Sequence, residues 1–129
     1  MNEADGPPAV ENESGSSILV ADDNEDIRFL LTLMLKGYNL YQASNGAEAI
    51  KLYQTYHPAL VLMDVIMPIK DGVAATIEIL KDDPGAKIIA FTARNLDQCQ
   101  SIIDAGALEF IEKPFNQESI LEIVHKYIN

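Results

Sequence analysis

Residues 58–72 read PALVLMDVIMPIKDG. Pro58 opens the stretch, and Leu60-Val61-Leu62-Met63 follows as an unbroken apolar run of strand length. A run without polar alternation suits a strand covered on both faces, as in a parallel sheet. It stops at Asp64. A carboxylate there stands at the carboxyl end of a buried strand, the end at which open α/β sheets bind their ligands.

Outward from this stretch the same unit recurs. Upstream, Ile18-Leu19-Val20-Ala21 is a second short apolar run, and it ends in Asp22-Asp23-Asn24-Glu25-Asp26. Ile27, Leu30, Leu31, Met34 and Leu35 then repeat at helical spacing, with Gly37 as the stop. Leu40–Ala43 reads as a strand. Asn45 with Glu48 three residues on reads as a helix cap, and Ala49, Leu52, Tyr53 and Tyr56 form the face that follows. Downstream, Val73–Leu80 reads as a helix and Asp83-Pro84-Gly85 as a turn. Lys87–Phe91 is a strand followed by Thr92, Leu96–Asp104 a helix, and Ala107–Ile111 a strand followed by Lys113-Pro114. Asn116 caps a last helix with Ile120, Leu121, Val124 and Ile128 on its inner side. Strands and helices in strict alternation imply parallel crossovers and an α/β doubly wound (βα)5 three-layer sandwich around a parallel five-stranded sheet.

The 129 residues suit one domain able to bury a core without disulfides. One cysteine, Cys99, excludes a disulfide framework and a multi-cysteine zinc site. The apolar run Ala59–Met63 is far below the roughly 20 residues that span a bilayer. No basic residue or early apolar stretch marks a secretory signal, so a cytoplasmic location is expected. Residues 1–16 are rich in acid, Pro, Gly and Ser and are expected to be a disordered acidic tail, with the domain at 17–129. The formal charge is −11. Without the tail's Glu3, Asp5, Glu11 and Glu13, sixteen acids still face nine bases. Such a field repels nucleic acid and anionic membrane, so neither direct nucleic-acid binding nor membrane insertion is expected.

The strand ends together present Asp22, Asp23, Asp64, Thr92 and Lys113. Three adjacent carboxylates repel by roughly 4 kcal/mol per pair at about 4 Å and an effective dielectric near 20. A hard divalent cation such as Mg²⁺ relieves that, and all-oxygen ligands without His or Cys suit it. A carboxylate beside a cation can attack phosphorus, with an ammonium and a hydroxyl stabilising the phosphoryl oxygens. The set fits phosphoryl transfer onto Asp64. Taken singly, each piece has a plainer reading: Asp22-Asp23 as a capping pair, Asp64 as an Asx turn, Lys113-Pro114 as a loop.

Asp22-Asp23, Asp64-Val65-Ile66-Met67-Pro68 with Asp71-Gly72, Phe91-Thr92-Ala93, Ala105-Gly106-Ala107 and Lys113-Pro114-Phe115 together resemble the signature of response-regulator receiver domains of two-component signalling. The resemblance covers residues 17–129. It implies strand order 2-1-3-4-5, the flavodoxin-like arrangement. It implies a phosphoprotein with Asp64 as phosphoacceptor, and a metal site of Asp22, Asp23, Asp64 and the backbone carbonyl of Ile66, holding Mg²⁺. Thr92 would hydrogen-bond the phosphoryl group, Lys113 would pair with it, and a cis peptide would precede Pro114. Thr92 and Phe110 would be the switch pair. The partners implied are a histidine kinase or histidine phosphotransfer protein upstream and a protein target downstream, met by helix four, strand five and helix five. Such a chain is a switch that catalyses only its own phosphorylation and dephosphorylation. A stand-alone single-domain regulator is the expected form.

Some positions depart from the family pattern. Ala59 stands where an acid is common, Ile69-Lys70 is unusual, and Phe110 replaces a tyrosine. The stretch from Thr92 to Lys113 is slightly short, so the resemblance leaves the length of helix four open. Ile66 and Arg94 occupy positions that tune phosphate lifetime, and a bulky Ile66 suggests slow-to-moderate autodephosphorylation. An aspartate-dependent phosphohydrolase would want a second acid two residues after Asp64, where Ile66 stands. A flavin protein would want a phosphate-holding loop where Asp22–Asp26 would repel phosphate.

Overall fold

The computed structural model describes residues 16–93 and 96–128. In chain order the elements are β1 (Ser17–Ala21), α1 (Glu25–Met34), β2 (Asn39–Ala43), α2 (Gly46–Tyr56), β3 (Leu60–Asp64), α3 (Gly72–Asp82), β4 (Ile88–Thr92), α4 (Leu96–Ala105), β5 (Glu109–Glu112) and α5 (Gln117–Tyr127). All strand pairs are parallel and the order is β2-β1-β3-β4-β5, as the resemblance implied. Of the expected tail at 1–16, residues 1–15 lie outside the described residues, as does Arg94, whereas the Ser16 carbonyl accepts from Asn39 N–H at 3.0 Å.

Successive side chains of a strand point to opposite faces, so each apolar strand feeds two cores. Leu19, Ala21, Val61, Met63, Ile88 and Ala90 pack with Ala49, Ile50 and Tyr53 of α2, Ala75 and Ile79 of α3 and Ile102 of α4. Ile18, Val20, Leu60, Leu62, Ile89 and Phe91 pack with Leu31 of α1 and Ile120 and Val124 of α5. Every residue of β3 and β4 is buried, which explains why those strands show no alternation in sequence.

Helix starts follow side-chain capping. Asn24, Asn45, Asp71 and Asn116 each accept a hydrogen bond from a backbone N–H in the first turn of α1, α2, α3 and α5. Strand β5 begins two residues later than its apolar pattern suggests. Ala107 N–H closes α4 by donating to the Ile102 carbonyl, around Gly106 at φ 120°, so that residue ends a helix before the strand begins. Tyr56 stacks on Tyr41 at 4.2 Å, and Cys99 and Met63 are buried, so these side chains serve packing.

Candidate functional site

Ala21, Met63 and Phe91 are the last core side chains before the carboxyl edge of the sheet, and β1, β3 and β4 are adjacent there. The chain beyond β1 is held at once. Asp22 N–H donates to the Ala43 carbonyl at 3.0 Å, and Asn24 N–H donates to Asp22 Oδ1 at 2.9 Å. Asp22 is fully buried and Asp23 exposed. Asp64 ends β3 and is 7% exposed. Each of the three aspartates offers a carboxylate oxygen within 4.8 Å of the others.

Lys113, beyond β5, reaches back across this group. Its Nζ lies 2.8 Å from Asp22 Oδ2 and 3.4 Å from Asp64 Oδ1. The sequence suggested an ammonium for the phosphoryl group; the structure adds that it bridges two acids and sits closer to Asp22. Burial pulls the Lys113 ammonium down, but the hydrogen bond to Asp22 and the charges of Asp64 and Asp22 outweigh this and raise its pKa. Burial, then the charge of Asp22, pushes Asp64 up to about 6, against the opposing pull of Lys113. One ammonium therefore does not neutralise the cluster. The donor set is all oxygen with surplus negative charge, and it fits a hard divalent cation.

Thr92 closes β4, and its hydroxyl donates to the Ala93 carbonyl at 2.6 Å. Its own carbonyl accepts from Lys113 N–H at 2.8 Å, tying the two strand ends together. The Lys113–Pro114 peptide is cis. Phe110 is 44% exposed on β5, beside Ala90 in the register.

Ile66 lies on the loop between β3 and α3, with its side chain 58% exposed. Sequence reasoning missed how this loop is held. Val65 N–H donates to the Phe91 carbonyl at 3.2 Å, Gly72 N–H to the Val65 carbonyl at 2.8 Å, and Gly46 N–H to the Lys70 carbonyl at 2.7 Å. A Cβ on Gly72 would meet the Asp64 carbonyl oxygen at 2.1 Å, and one on Gly46 the Lys70 carbonyl oxygen at 2.3 Å. Asp71-Gly72 stood out in the sequence only as part of the family pattern, and nothing local to Gly72 or Gly46 indicated either approach.

The sequence of residues 18–125 matches the response regulator receiver domain family. The chain is 39% identical over 110 residues to the chemotaxis protein CheY of Halobacterium salinarum, covering 83% of this chain and 92% of that protein. It is 38% identical over 118 residues to sporulation initiation phosphotransferase F of Bacillus subtilis, covering 86% and 92%. Among solved structures, the CheX–CheY–BeF3–Mg²⁺ complex of Borrelia burgdorferi contains a chain that superposes with a TM-score of 0.81 at 25% identity, over 88% of this chain and 90% of that one.

Proposed function

This chain belongs to the response regulator receiver domain family, a family of two-component signalling switches, and from that premise we propose that Asp64 is its phosphoacceptor. The observation that carries the assignment is the convergence of Asp22, Asp23, Asp64 and Lys113 at one edge of the sheet. The Borrelia CheY was solved with Mg²⁺ and BeF3, and the carboxylate cluster here suits the same ion. Asp22, Asp23, Asp64 and the Ile66 carbonyl would hold it, and it would supply charge neutralisation at the phosphoryl oxygens.

The chain's own groups do the rest. An Asp64 carboxylate oxygen forms the O–P bond as the P–N bond to a donor imidazole breaks, and the freed imidazole leaves. Lys113 exchanges part of its pairing with Asp22 for a phosphoryl oxygen. The Thr92 hydroxyl turns from the Ala93 carbonyl to donate to the same group. Thr92 moves inward, and Phe110 follows into the space it leaves. The state with these contacts gains stability only when the phosphoryl group is present, so phosphorylation shifts the balance toward it. The face built by α4, β5 and α5 then differs for a downstream protein. The upstream donor is a histidine kinase or histidine phosphotransfer protein. No helix among the described residues is long and apolar enough to cross a membrane, and we place the protein in the cytoplasm.

The test is intact mass after acetyl phosphate and Mg²⁺. Wild type should gain one labile phosphoryl group and Asp64→Asn none. Adduct on both variants would move the acceptor elsewhere. Chasing the wild-type adduct against that of Ile66→Asn tests the lifetime expectation: replacing the apolar rim should shorten the half-life, and an unchanged half-life removes that role for Ile66.

A further inference from the structure

Arg28 lies in the second turn of α1, outside the acidic cluster. Its Nη1 donates to the backbone carbonyl oxygen of Asp22 at 2.6 Å, and its Nε donates to Gln42 Oε1 on β2 at 3.2 Å. The Glu48 carboxylate of α2, held by Ser44 N–H and the Ser44 hydroxyl, also feels the charge of Arg28. The guanidinium therefore spans α1, the end of β1 and β2, a rigid fork anchored at two points.

The atom it holds matters more than the number of bonds. The Asp22 carbonyl belongs to the planar peptide unit that also carries the Asp23 N–H. Turning that plane redirects the bond from Asp23 Cα to Cβ. The Asp22 carboxylate has its own restraints, from Asn24 N–H on one oxygen and Lys113 on the other. The Asp23 carboxylate is exposed, and no hydrogen bond to it is found among the described residues. The direction of its Cα–Cβ bond is set by the main chain, and Arg28 holds the carbonyl end of that main chain, beyond the bond from Asp22 N–H to the Ala43 carbonyl.

We infer that Arg28 is a positioning residue of the cation site: by locking the Asp22–Asp23 peptide it aims the Asp23 carboxylate at Asp22 and Asp64. This rests on the reading of the three aspartates as a Mg²⁺ site. It separates cleanly from a simple charge effect, because a guanidinium near a cation site repels the cation. If charge dominated, removing Arg28 would tighten Mg²⁺ binding; if positioning dominates, removal weakens it.

The experiment is calorimetric titration of Mg²⁺ into the full chain, for wild type, Arg28→Gln, Arg28→Lys and Gln42→Ala. Loss of an outer-shell support weakens metal binding by about 10-fold or more. Arg28→Gln should therefore bind Mg²⁺ about 10-fold more weakly. Arg28→Lys, which can keep one donor to the Asp22 carbonyl but loses the two-point fork, should also be weakened, though less. Gln42→Ala, which frees one anchor of the guanidinium, should lie between Arg28→Lys and wild type. Urea unfolding in EDTA separates a merely structural role, which would lower metal-free stability and leave the Mg²⁺ dissociation constant unchanged. Equal or tighter Mg²⁺ binding by folded Arg28→Gln overturns the inference. Should that variant fail to fold, equal binding by Arg28→Lys and Gln42→Ala overturns it. Absence of Mg²⁺ binding by wild type would instead overturn the metal-site reading itself.

Discussion

Lys113 stands between two carboxylates that do not need it equally. Asp22 is fully buried and takes the shorter contact, whereas Asp64 is left with a raised pKa of about 6. That shift has a consequence for stability. An unfolded aspartate titrates near 3.9. Between about pH 4 and pH 6 the folded chain holds a proton on Asp64 that the unfolded chain has lost, so stability falls as pH rises through that window. Above it the ionised Asp64 is a net burden on the metal-free fold. Asp64→Asn in EDTA should therefore be more stable than wild type at pH 7.5, by about 2 kcal/mol, and the gain should vanish near pH 4. Urea unfolding at the two pH values measures this; equal stability at pH 7.5 would mean that the cluster's repulsion is relieved some other way. The pairing behind this balance could not be read locally, since Lys113 and Asp22 are 91 residues apart in sequence. The presence of an ammonium at the fifth strand end was legible; its preference for Asp22 over Asp64 depends on side-chain depth, which residue order does not encode.

At the scale of elements, the segment from Val65 to Asp71 is a loop with backbone holds at both ends. Asp71 caps α3 by accepting from Ala74 N–H at 2.8 Å, while Gly72 and Gly46 let two backbones come within hydrogen-bonding distance of it. Ile69 within it has φ 68°, a conformation a β-branched residue rarely takes, and its side chain is 83% exposed. The unusual Ile69-Lys70 pair noted in the sequence thus coincides with a strained position, held by its neighbours' bonds. Gly72→Ala should destabilise the protein by about 3 kcal/mol, since the new methyl would overlap the carbonyl of Asp64 itself. Gly85→Ala, whose nearest neighbour would be Asp83 Oδ1 at 3.6 Å, should change stability by less than about 0.5 kcal/mol. Thermal unfolding of the pair checks both, and similar losses at the two sites would show that the tight approach relaxes. Helix and strand order was legible because burial on two faces imprints apolar runs and caps imprint Asn and Asp. The close approaches were not, because glycine in a sequence does not say which backbone it faces.

At the scale of the molecule, a formal charge of −11 and a cluster of three aspartates have separable effects. General self-repulsion is screened by any salt. A specific site responds to the ion that fits it, by mass action. At matched ionic strength, MgCl₂ should raise the melting temperature above that in NaCl for wild type, and the excess should shrink in Asp22→Asn and Asp23→Asn. Equal melting temperatures in the two salts would leave only the general effect. The overall architecture followed from alternating patterns and needed no long-range information, whereas strand order came from family resemblance. Pairing order in a doubly wound sheet is a choice among topologies that share the same local signals.

Strand β5 is the outer strand next to β4, four residues reading EFIE. No strand among the described residues pairs with its outer side, and such an edge is an open template for another strand. A second copy docking antiparallel in register would set Glu109 of each chain opposite Glu112 of the other, twice over. Like charges facing directly across a pair weaken it. Glu109 is already engaged by Lys126 at 2.5 Å and by the Tyr127 hydroxyl, which hold it at that edge. The margin that carries the exposed Phe110 thus has an acid at each end, and an antiparallel second copy would have to fit Glu109, together with its Lys126 and Tyr127 partners, against Glu112 of the other chain.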